Sequence, residues 1–190
     1  MKAYPYLLLI IDAQQGIDMQ AYWGGHRNNP QAEQHIARLL TCFRKQAWPV
    51  IHVQHCSRDS HSPLFPGQPG HAFMPSNQPA SGETIVEKTE TNAFIRTGLQ
   101  AKITESRASH VVITGFVTNN SVEATARMCG NLGFNTIVVS DATAAFDKVG
   151  LDGETYPAAL VHGLSLANLS GEYAEVLTTQ TLIDNMEARA

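Results

Sequence analysis

Short apolar runs alternate with amphipathic segments along this chain of 190 residues. The first run, Tyr6–Ile11, is apolar without interruption, which is typical of a strand buried on both faces of a parallel sheet. Five more short strands are predicted, at 49–53, 84–87, 111–114, 136–139 and 174–177. Helices are predicted between and after them, at 32–46, 121–132, 157–168 and from the last strand through Met186. This alternation predicts an α/β fold with helices on both faces of the sheet.

Composition and charge narrow the class of protein. Hydrophobic residues make up 43% and charged residues 16%, so we expect one globular domain spanning residues 1–190. The net charge of −4 gives no reason to expect nucleic acid or a membrane as a partner. The apolar run ending at Asp12 is too short for a signal peptide or a membrane span. Three scattered cysteines form no disulfide framework, so we expect a cytoplasmic location.

Three segments with polar side chains directly follow predicted strands. Asp12 ends the first strand, Lys88 follows the third, and the turn at 115–121 follows the fourth. In parallel sheets, ligands bind beyond the carboxyl ends of the strands, an edge that we call the rim. These residues also have ordinary explanations. Asp12 could be a turn residue, and so could Asp141, which also follows an apolar strand. Most lysines are solvated.

The turn at 115–121 leads from a buried strand into a helix that begins near Ser121. Backbone N–H groups at a helix N-terminus are unpaired and can bind an oxyanion. A hydroxyl at this position is placed as a nucleophile should be. Ser121, Asn119 and Asn120 are equally suited to a helix cap, which is a common role for these residues.

Together these segments resemble the isochorismatase-like cysteine hydrolase superfamily over most of the chain, from Leu7 to about Leu177. Asp12-Ala13-Gln14 resembles the Asp-x-Gln of that family, and Lys88 with Asn92-Ala93-Phe94 resembles its lysine segment. The most specific match is Gly115-x-x-Thr118-x-x-Ser121-Val122-x-x-Thr125-Ala126-Arg127, followed by Gly133-Phe134 and Asp141-Ala142. His162-x-x-x-Leu166 fits the helix near the end.

The resemblance implies a Rossmann-like, three-layer fold with a six-stranded, mostly parallel sheet of order 3-2-1-4-5-6. It also implies a homodimer or homotetramer. Asp12 and Lys88 would be two members of a catalytic triad, and Ser121 stands where the family has its nucleophilic cysteine. The expected oxyanion turn contains Val117 and Thr118, with a non-proline cis peptide bond between them.

The serine alters the expected chemistry. A serine hydroxyl is a much weaker acid than a thiol, and serine nucleophiles normally require a histidine or lysine base. The resemblance offers one route without a cysteine, the hydrolysis of a vinyl ether with Asp12 as the acid. The other route that we consider is hydrolysis of a C–N or ester bond through water or Ser121. Cys129 is about 12 Å further along the same predicted helix, at 1.5 Å per residue, and a packed thiol is the simpler interpretation of Cys56.

Some members of the superfamily, the nicotinamidases, bind a metal near the second strand through aspartate and histidine. Here the strand end reads His52-Val-Gln-His55, and two histidines three apart on a strand point to opposite faces. We therefore expect no metal and no cofactor. The residues predicted to bind substrate are Gln14, Trp23, Arg58, His61, Phe94 and Asn120.

The sequence thus predicts a small-molecule hydrolase that uses Asp12 and Lys88, with Ser121 at the nucleophile position. The alternative is a binding protein that retains the pocket without catalysis. The loop at 57–82, rich in proline, glycine and serine, is expected to influence which substrate binds.

Overall fold

The computed structural model describes residues 3–188 and contains one six-stranded sheet and a small hairpin. The first five strands are β1 (Tyr4–Ile11), β2 (Val50–His55), β3 (Thr84–Lys88), β4 (Ala108–Phe116) and β5 (Asn135–Ala144). The hairpin pairs β6 (Lys148–Val149) with β7 (Thr155–Tyr156), and β8 (Glu175–Leu177) completes the sheet. All neighbours in the sheet are parallel, in the order β3-β2-β1-β4-β5-β8. Because the hairpin takes two labels, this is the predicted order 3-2-1-4-5-6, which is confirmed.

The α-helices of residues 3–188 are α1 (Gln20–Trp23), α2 (Ala32–Lys45), α3 (Leu99–Ser106), α4 (Glu123–Asn131), α5 (Ala158–Leu169) and α6 (Thr179–Glu187). The predicted helix at 121–132 begins instead with one π-helical turn, Thr118–Val122, that continues into α4. Within the described residues, no helix is both long and apolar enough to cross a bilayer.

Alternate side chains of β1 build the cores on the two faces of the sheet. Tyr6, Leu8 and Ile10 pack in a cluster with apolar residues of α2 and α6. Leu7, Leu9 and Ile11 face the opposite side, in a cluster with residues of α3 and α4. Period-two alternation sends neighbouring side chains to opposite faces, so a strand that is covered on both sides must be apolar throughout. This explains the first run of the sequence and gives the three-layer architecture.

The close approach of β1 and β4 positions the rim. Ile11 is the register partner of Gly115, which has φ +112°, and a Cβ atom there would overlap the Ile11 carbonyl oxygen. Only glycine fits this position without displacing β1. The next residue of β1, Asp12, has φ +50° and turns away from the strand direction. The ends of β1 and β4 therefore lie side by side.

Candidate active site

The ammonium group of Lys88 is the centre of a buried cluster of polar side chains. Its Nζ atom lies 2.7 Å from Asp12 Oδ2, 3.1 Å from Ser121 Oγ and 3.2 Å from His55 Nδ1. Asp12, Lys88 and Ser121 are 3%, 2% and 7% exposed. An ammonium group has three N–H donors and no acceptor. These three contacts therefore satisfy a protonated Lys88 completely.

Four elements bring these side chains together. Asp12 follows β1, His55 ends β2, Lys88 ends β3, and Ser121 lies in the turn after β4. The carboxyl ends of parallel strands meet at one edge of a sheet, which is where this topology changes direction between β1 and β4. Residues far apart in sequence become neighbours for this reason, and the rim that the sequence predicted contains Asp12, Lys88 and Ser121.

One oxygen of Asp12 has no partner within residues 3–188. Oδ2 accepts from Lys88, but Oδ1 is buried and makes no hydrogen bond. An unpaired buried carboxylate oxygen is costly. Asp12 also lines a cavity of about 60 Å³ that Ser121 and His55 line as well. A ligand or water in this cavity could donate to Oδ1.

This inner cavity adjoins a second one, which we call the outer cavity. The outer cavity has a volume of about 180 Å³. Trp23, Val117 and Asn120 line both, so the two share a wall. Trp23 is fixed there by a hydrogen bond from its Nε1 to the Gly16 carbonyl oxygen at 2.8 Å and by stacking on Phe146.

Residues of α5 form hydrogen bonds with the turn that carries Ser121. Thr118 Oγ1 lies 2.9 Å from His162 Nδ1, and the Ser165 hydroxyl lies 3.3 Å from the Thr118 carbonyl oxygen. Burial lowers the pKa of His162 from its ordinary value, so this ring is neutral near pH 7 and can accept from the threonine hydroxyl. The carbonyl of Val117 accepts from the N–H groups of Asn120 and Val122. These contacts fix the first helical turn in front of Asp12.

The cis peptide bond of this segment joins Phe116 and Val117. The prediction of a cis bond between Val117 and Thr118 was therefore wrong by one residue. The reason is that Phe116 still belongs to β4 and is fully buried, so the change of backbone direction comes directly after the strand.

The side chain of Gln14 joins the backbone of His55 to the backbone of His71. Its Nε2 donates to the carbonyl oxygens of His71 at 2.8 Å and His55 at 3.1 Å, and its Oε1 accepts from the His55 N–H at 2.8 Å. The side chain is fully buried and occupied by these bonds. Gln14 thus ties β2 and the loop at 57–82 to the end of β1.

The structure does not bring four of the six predicted substrate-binding residues into either cavity, and the first of them is Gln14. Arg58 is exposed and pairs with Glu90 at 2.6 Å, and His61 is exposed beside Asp59. Phe94 packs against the core cluster that contains Leu7. Asp141, the other aspartate that follows a strand, accepts from the N–H and hydroxyl of Thr179, at 2.7 Å each. Of the predicted lining, Trp23 and Asn120 reach the cavities.

Neither Cys56 nor Cys129 has the features of a reactive thiol. The Cys56 N–H donates to the Lys88 carbonyl, but its sulfur lies 3.3 Å from His71 Nε2, and burial raises the pKa of the thiol. Burial also raises the pKa of Cys129, to about 11. Because the thiolate is the reactive form, raised pKa values make both thiols poor nucleophiles near neutral pH.

His55 is the member of the cluster that the sequence did not assign to catalysis. The pKa of His55 is lowered, first by burial and then by the charge of Lys88. The neutral ring accepts from the ammonium through Nδ1. Its position as the last residue of β2 was a usable signal, since the other members also follow strand ends. Among residues 3–188, no group of three or more His, Cys, Asp or Glu side chains could hold a metal ion.

Comparison with known proteins agrees with this architecture. Residues 6–181 match the model of the isochorismatase domain family. The chain is 40% identical to the isochorismatase family protein YrdC of Bacillus subtilis, over 94% of each chain. A crystal structure of an isochorismatase-family protein from Chromobacterium violaceum superposes with a TM-score of 0.89 at 45% identity, covering 95% of this chain and 92% of that one.

Two more distant relatives have activities in their names. They are a streptothricin hydrolase of Streptomyces noursei, 29% identical over 80% of this chain and 55% of its own length, and a maleamate amidohydrolase of Pseudomonas putida, 27% identical over 65% and 53%. With a family match over nearly its whole length and the same sheet order, this chain belongs to the isochorismatase family of hydrolases.

Proposed function

We propose that this protein hydrolyses a small amide or ester, with Asp12 as the general base, Lys88 as its ion-pair partner and Ser121 as a hydrogen-bonding residue. The observation that carries the proposal is the arrangement of Asp12. One of its oxygens accepts a hydrogen bond from Lys88, the other is buried without a partner, and Asp12 is a lining residue of the inner cavity. A base needs a free oxygen within reach of the proton that it takes.

The ammonium of Lys88 fixes the position of the proposed base. Its Nζ atom donates to Asp12 Oδ2 at 2.7 Å, which holds the carboxylate at the rim. Its three N–H groups donate to Asp12, Ser121 and His55. An ammonium has no acceptor, so in this arrangement Lys88 is a donor and not a base. The contact with Ser121 Oγ also places the positive charge of the ammonium beside the serine hydroxyl, at the inner cavity.

In the proposed reaction, Asp12 Oδ1 takes a proton from a water molecule as the water oxygen attacks the substrate carbonyl. Backbone N–H groups at the start of the turn, near Thr118 and Ser121, stabilise the oxyanion, as expected of a helix N-terminus. When the tetrahedral intermediate collapses, Asp12 returns the proton to the leaving nitrogen or oxygen. An amide and water thereby give an acid and an amine, and Lys88 keeps its charge throughout.

Direct attack by Ser121 is the competing mechanism for the same function. Asp12 would then take the hydroxyl proton, and an acyl-serine would form. Ser121 Oγ accepts from Lys88 at 3.1 Å, so an emerging alkoxide would be stabilised. Both routes ask the Asp12 carboxylate to take a proton from a hydroxyl group, so they are distinguished by the acyl-serine, which only the serine route forms.

The name of one relative supports C–N bond hydrolysis over vinyl ether hydrolysis. That relative is an amidohydrolase, and its substrate maleamate is a small amide. The two cavities, of about 60 and 180 Å³, are small compared with sites for drug-sized ligands. A compact substrate fits this space.

The test is turnover by the wild type, Asp12→Asn, Ser121→Ala and Ser121→Cys on a panel of small amides, esters and isochorismate. We expect Asp12→Asn to lower kcat by about 10²–10⁴-fold, the range for loss of a general base. Ser121→Ala should retain measurable turnover if water is the nucleophile. Asp184→Asn, an exposed aspartate of α6, is the matched control and should behave as the wild type.

Two results would contradict the proposal. Loss of all activity in Ser121→Ala, with an acyl-enzyme seen by intact-protein mass spectrometry, would establish the serine route instead. If no substrate is turned over but small amides raise the melting temperature, the protein is a binding protein and the hydrolase proposal fails.

We also propose that the protein assembles as a homodimer or homotetramer. Helix α5 exposes Leu160 and Leu164, which are 47% and 58% exposed, and none of its residues is charged. A second copy would cover this surface. Light scattering of the purified protein, with Leu164→Glu as the variant, tests the assembly.

A further inference from the structure

The outer cavity carries one cation that the proposed reaction does not use. Lys148, in strand β6, lines this cavity together with Asn119, Asn120 and Trp23. Its side chain is exposed, and no ion pair involves it among residues 3–188. Its charge is therefore available to a ligand.

The other charges around the two cavities are already matched. Asp12 and Lys88 neutralise each other at 2.7 Å. Asp147 also lines the outer cavity, but its Oδ1 accepts from the Ala158 N–H at 2.7 Å, at the start of α5. The positive end of the helix dipole compensates an anion there. Lys148 is thus the unmatched charge of the outer cavity, on a protein whose net charge of −4 otherwise repels anions.

We infer that Lys148 determines specificity by binding a carboxylate at the end of the substrate opposite the bond that is cleaved. This inference rests on the proposed function. The scissile carbonyl lies in the inner cavity beside Asp12, and the chain of the substrate passes the shared wall of Trp23, Val117 and Asn120. The carboxylate then reaches Lys148. The substrate class is a short monoamide of a dicarboxylic acid.

Paired substrates test this assignment. The monoamide of succinic acid carries a carboxylate at its far end, whereas the diamide carries a neutral amide of similar size; maleic acid gives a second, unsaturated pair. We expect Lys148→Met to raise KM for the monoamides by about five- to tenfold, the range between an exposed ion pair and a charge-assisted hydrogen bond. KM for the diamides and kcat for both should stay unchanged.

Two further variants sharpen the comparison. Lys148→Arg keeps the charge and should keep the preference for monoamides. Lys102→Met, an exposed lysine of α3, removes the same charge away from the cavities and should change nothing. Raised salt should weaken the preference in the wild type, since screening acts on exposed charges. Equal KM changes for monoamide and diamide, or none for either, would overturn the inference.

Failure of the hydrolase proposal can be distinguished from failure of this one. If the wild type turns over neither compound, binding of succinate and maleate is measured by calorimetry in the wild type and in Lys148→Met. Weaker binding in the variant supports the carboxylate site without catalysis. The same affinity in both proteins, or no binding to the wild type, overturns it.

Discussion

Replacing Lys88 by methionine removes the charge that balances Asp12, and the two residues are 2% and 3% exposed. Water in the small inner cavity can donate a hydrogen bond to the remaining carboxylate but does not replace the positive charge of the ammonium. Removing one partner of a buried ion pair typically costs about 3–5 kcal/mol. For a chain of this size, 1 kcal/mol corresponds to about 2–4 °C in Tm. We therefore expect Lys88→Met to lower Tm by roughly 6–20 °C.

The double variant separates the charge effect from packing. Asp12→Asn with Lys88→Met removes both charges and leaves only lost hydrogen bonds to Ser121 and His55, a cost of about 1–2 kcal/mol. It should therefore be more stable than Lys88→Met alone. The free energy of unfolding of the wild type, both single variants and the double variant is measured by urea denaturation at one pH.

The reasoning is refuted if the double variant is destabilised by the sum of the two single effects. That result would mean that Asp12 and Lys88 contribute independently, in conflict with their separation of 2.7 Å. Lys102→Met, a surface lysine of α3, should change the free energy of unfolding by less than about 0.5 kcal/mol.

Three further predictions concern the β1–β4 contact, the contact of Thr118 with His162, and the buried histidines. Gly115→Ala should lower the free energy of unfolding, measured by urea denaturation, by roughly 1–3 kcal/mol from backbone strain and by more from displacement of Ile11. An unchanged free energy of unfolding would contradict the close approach of β1 and β4. Thr118→Val removes the partner of His162 Nδ1, so we expect a loss of about 1–3 kcal/mol and a lower kcat, with Thr104→Val on the surface of α3 as the control. Acidification below pH 6.5 should destabilise the wild type, because the pKa values of three histidines are lowered by burial in the folded protein, so the unfolded chain binds more protons. His55→Gln, whose side-chain oxygen can still accept from Lys88, should show a smaller loss between pH 7 and pH 5; an equal loss would assign the effect to His52 and His162.

The sheet could be predicted from the sequence because its strands are short, apolar and separated by clear breaks. Asp12 and Lys88 could be located for the same reason, since Asp12 directly follows β1 and Lys88 is the last residue of β3. The hairpin of β6 and β7 has two residues in each strand, too few for any period to be read. Helix α3 has only two buried residues in eight, so its apolar pattern is weak.

Side-chain partners could not be predicted in the same way. His162 is one of several residues on an uncharged helix, and only the packing of α5 against the turn shows that it contacts Thr118. The lining of the outer cavity depends on Phe146 and Lys148, which come from a segment after β5 that has no sequence motif. Arg58 and His61 were expected in the pocket because they lie in the long loop after β2, but that loop points both side chains to solvent.

The cluster around Lys88 has a consequence for how the protein acquires its activity. Lys88 lies 76 positions from Asp12 and 33 from both Ser121 and His55. These contacts have a high sequence separation, so they form only after the strands between them have paired, which is slow in parallel sheets. A partly folded chain therefore contains strands and helices but not yet the cluster around Lys88. During refolding, helical signal should return before turnover, and recovery of catalysis would measure the last stage of sheet assembly.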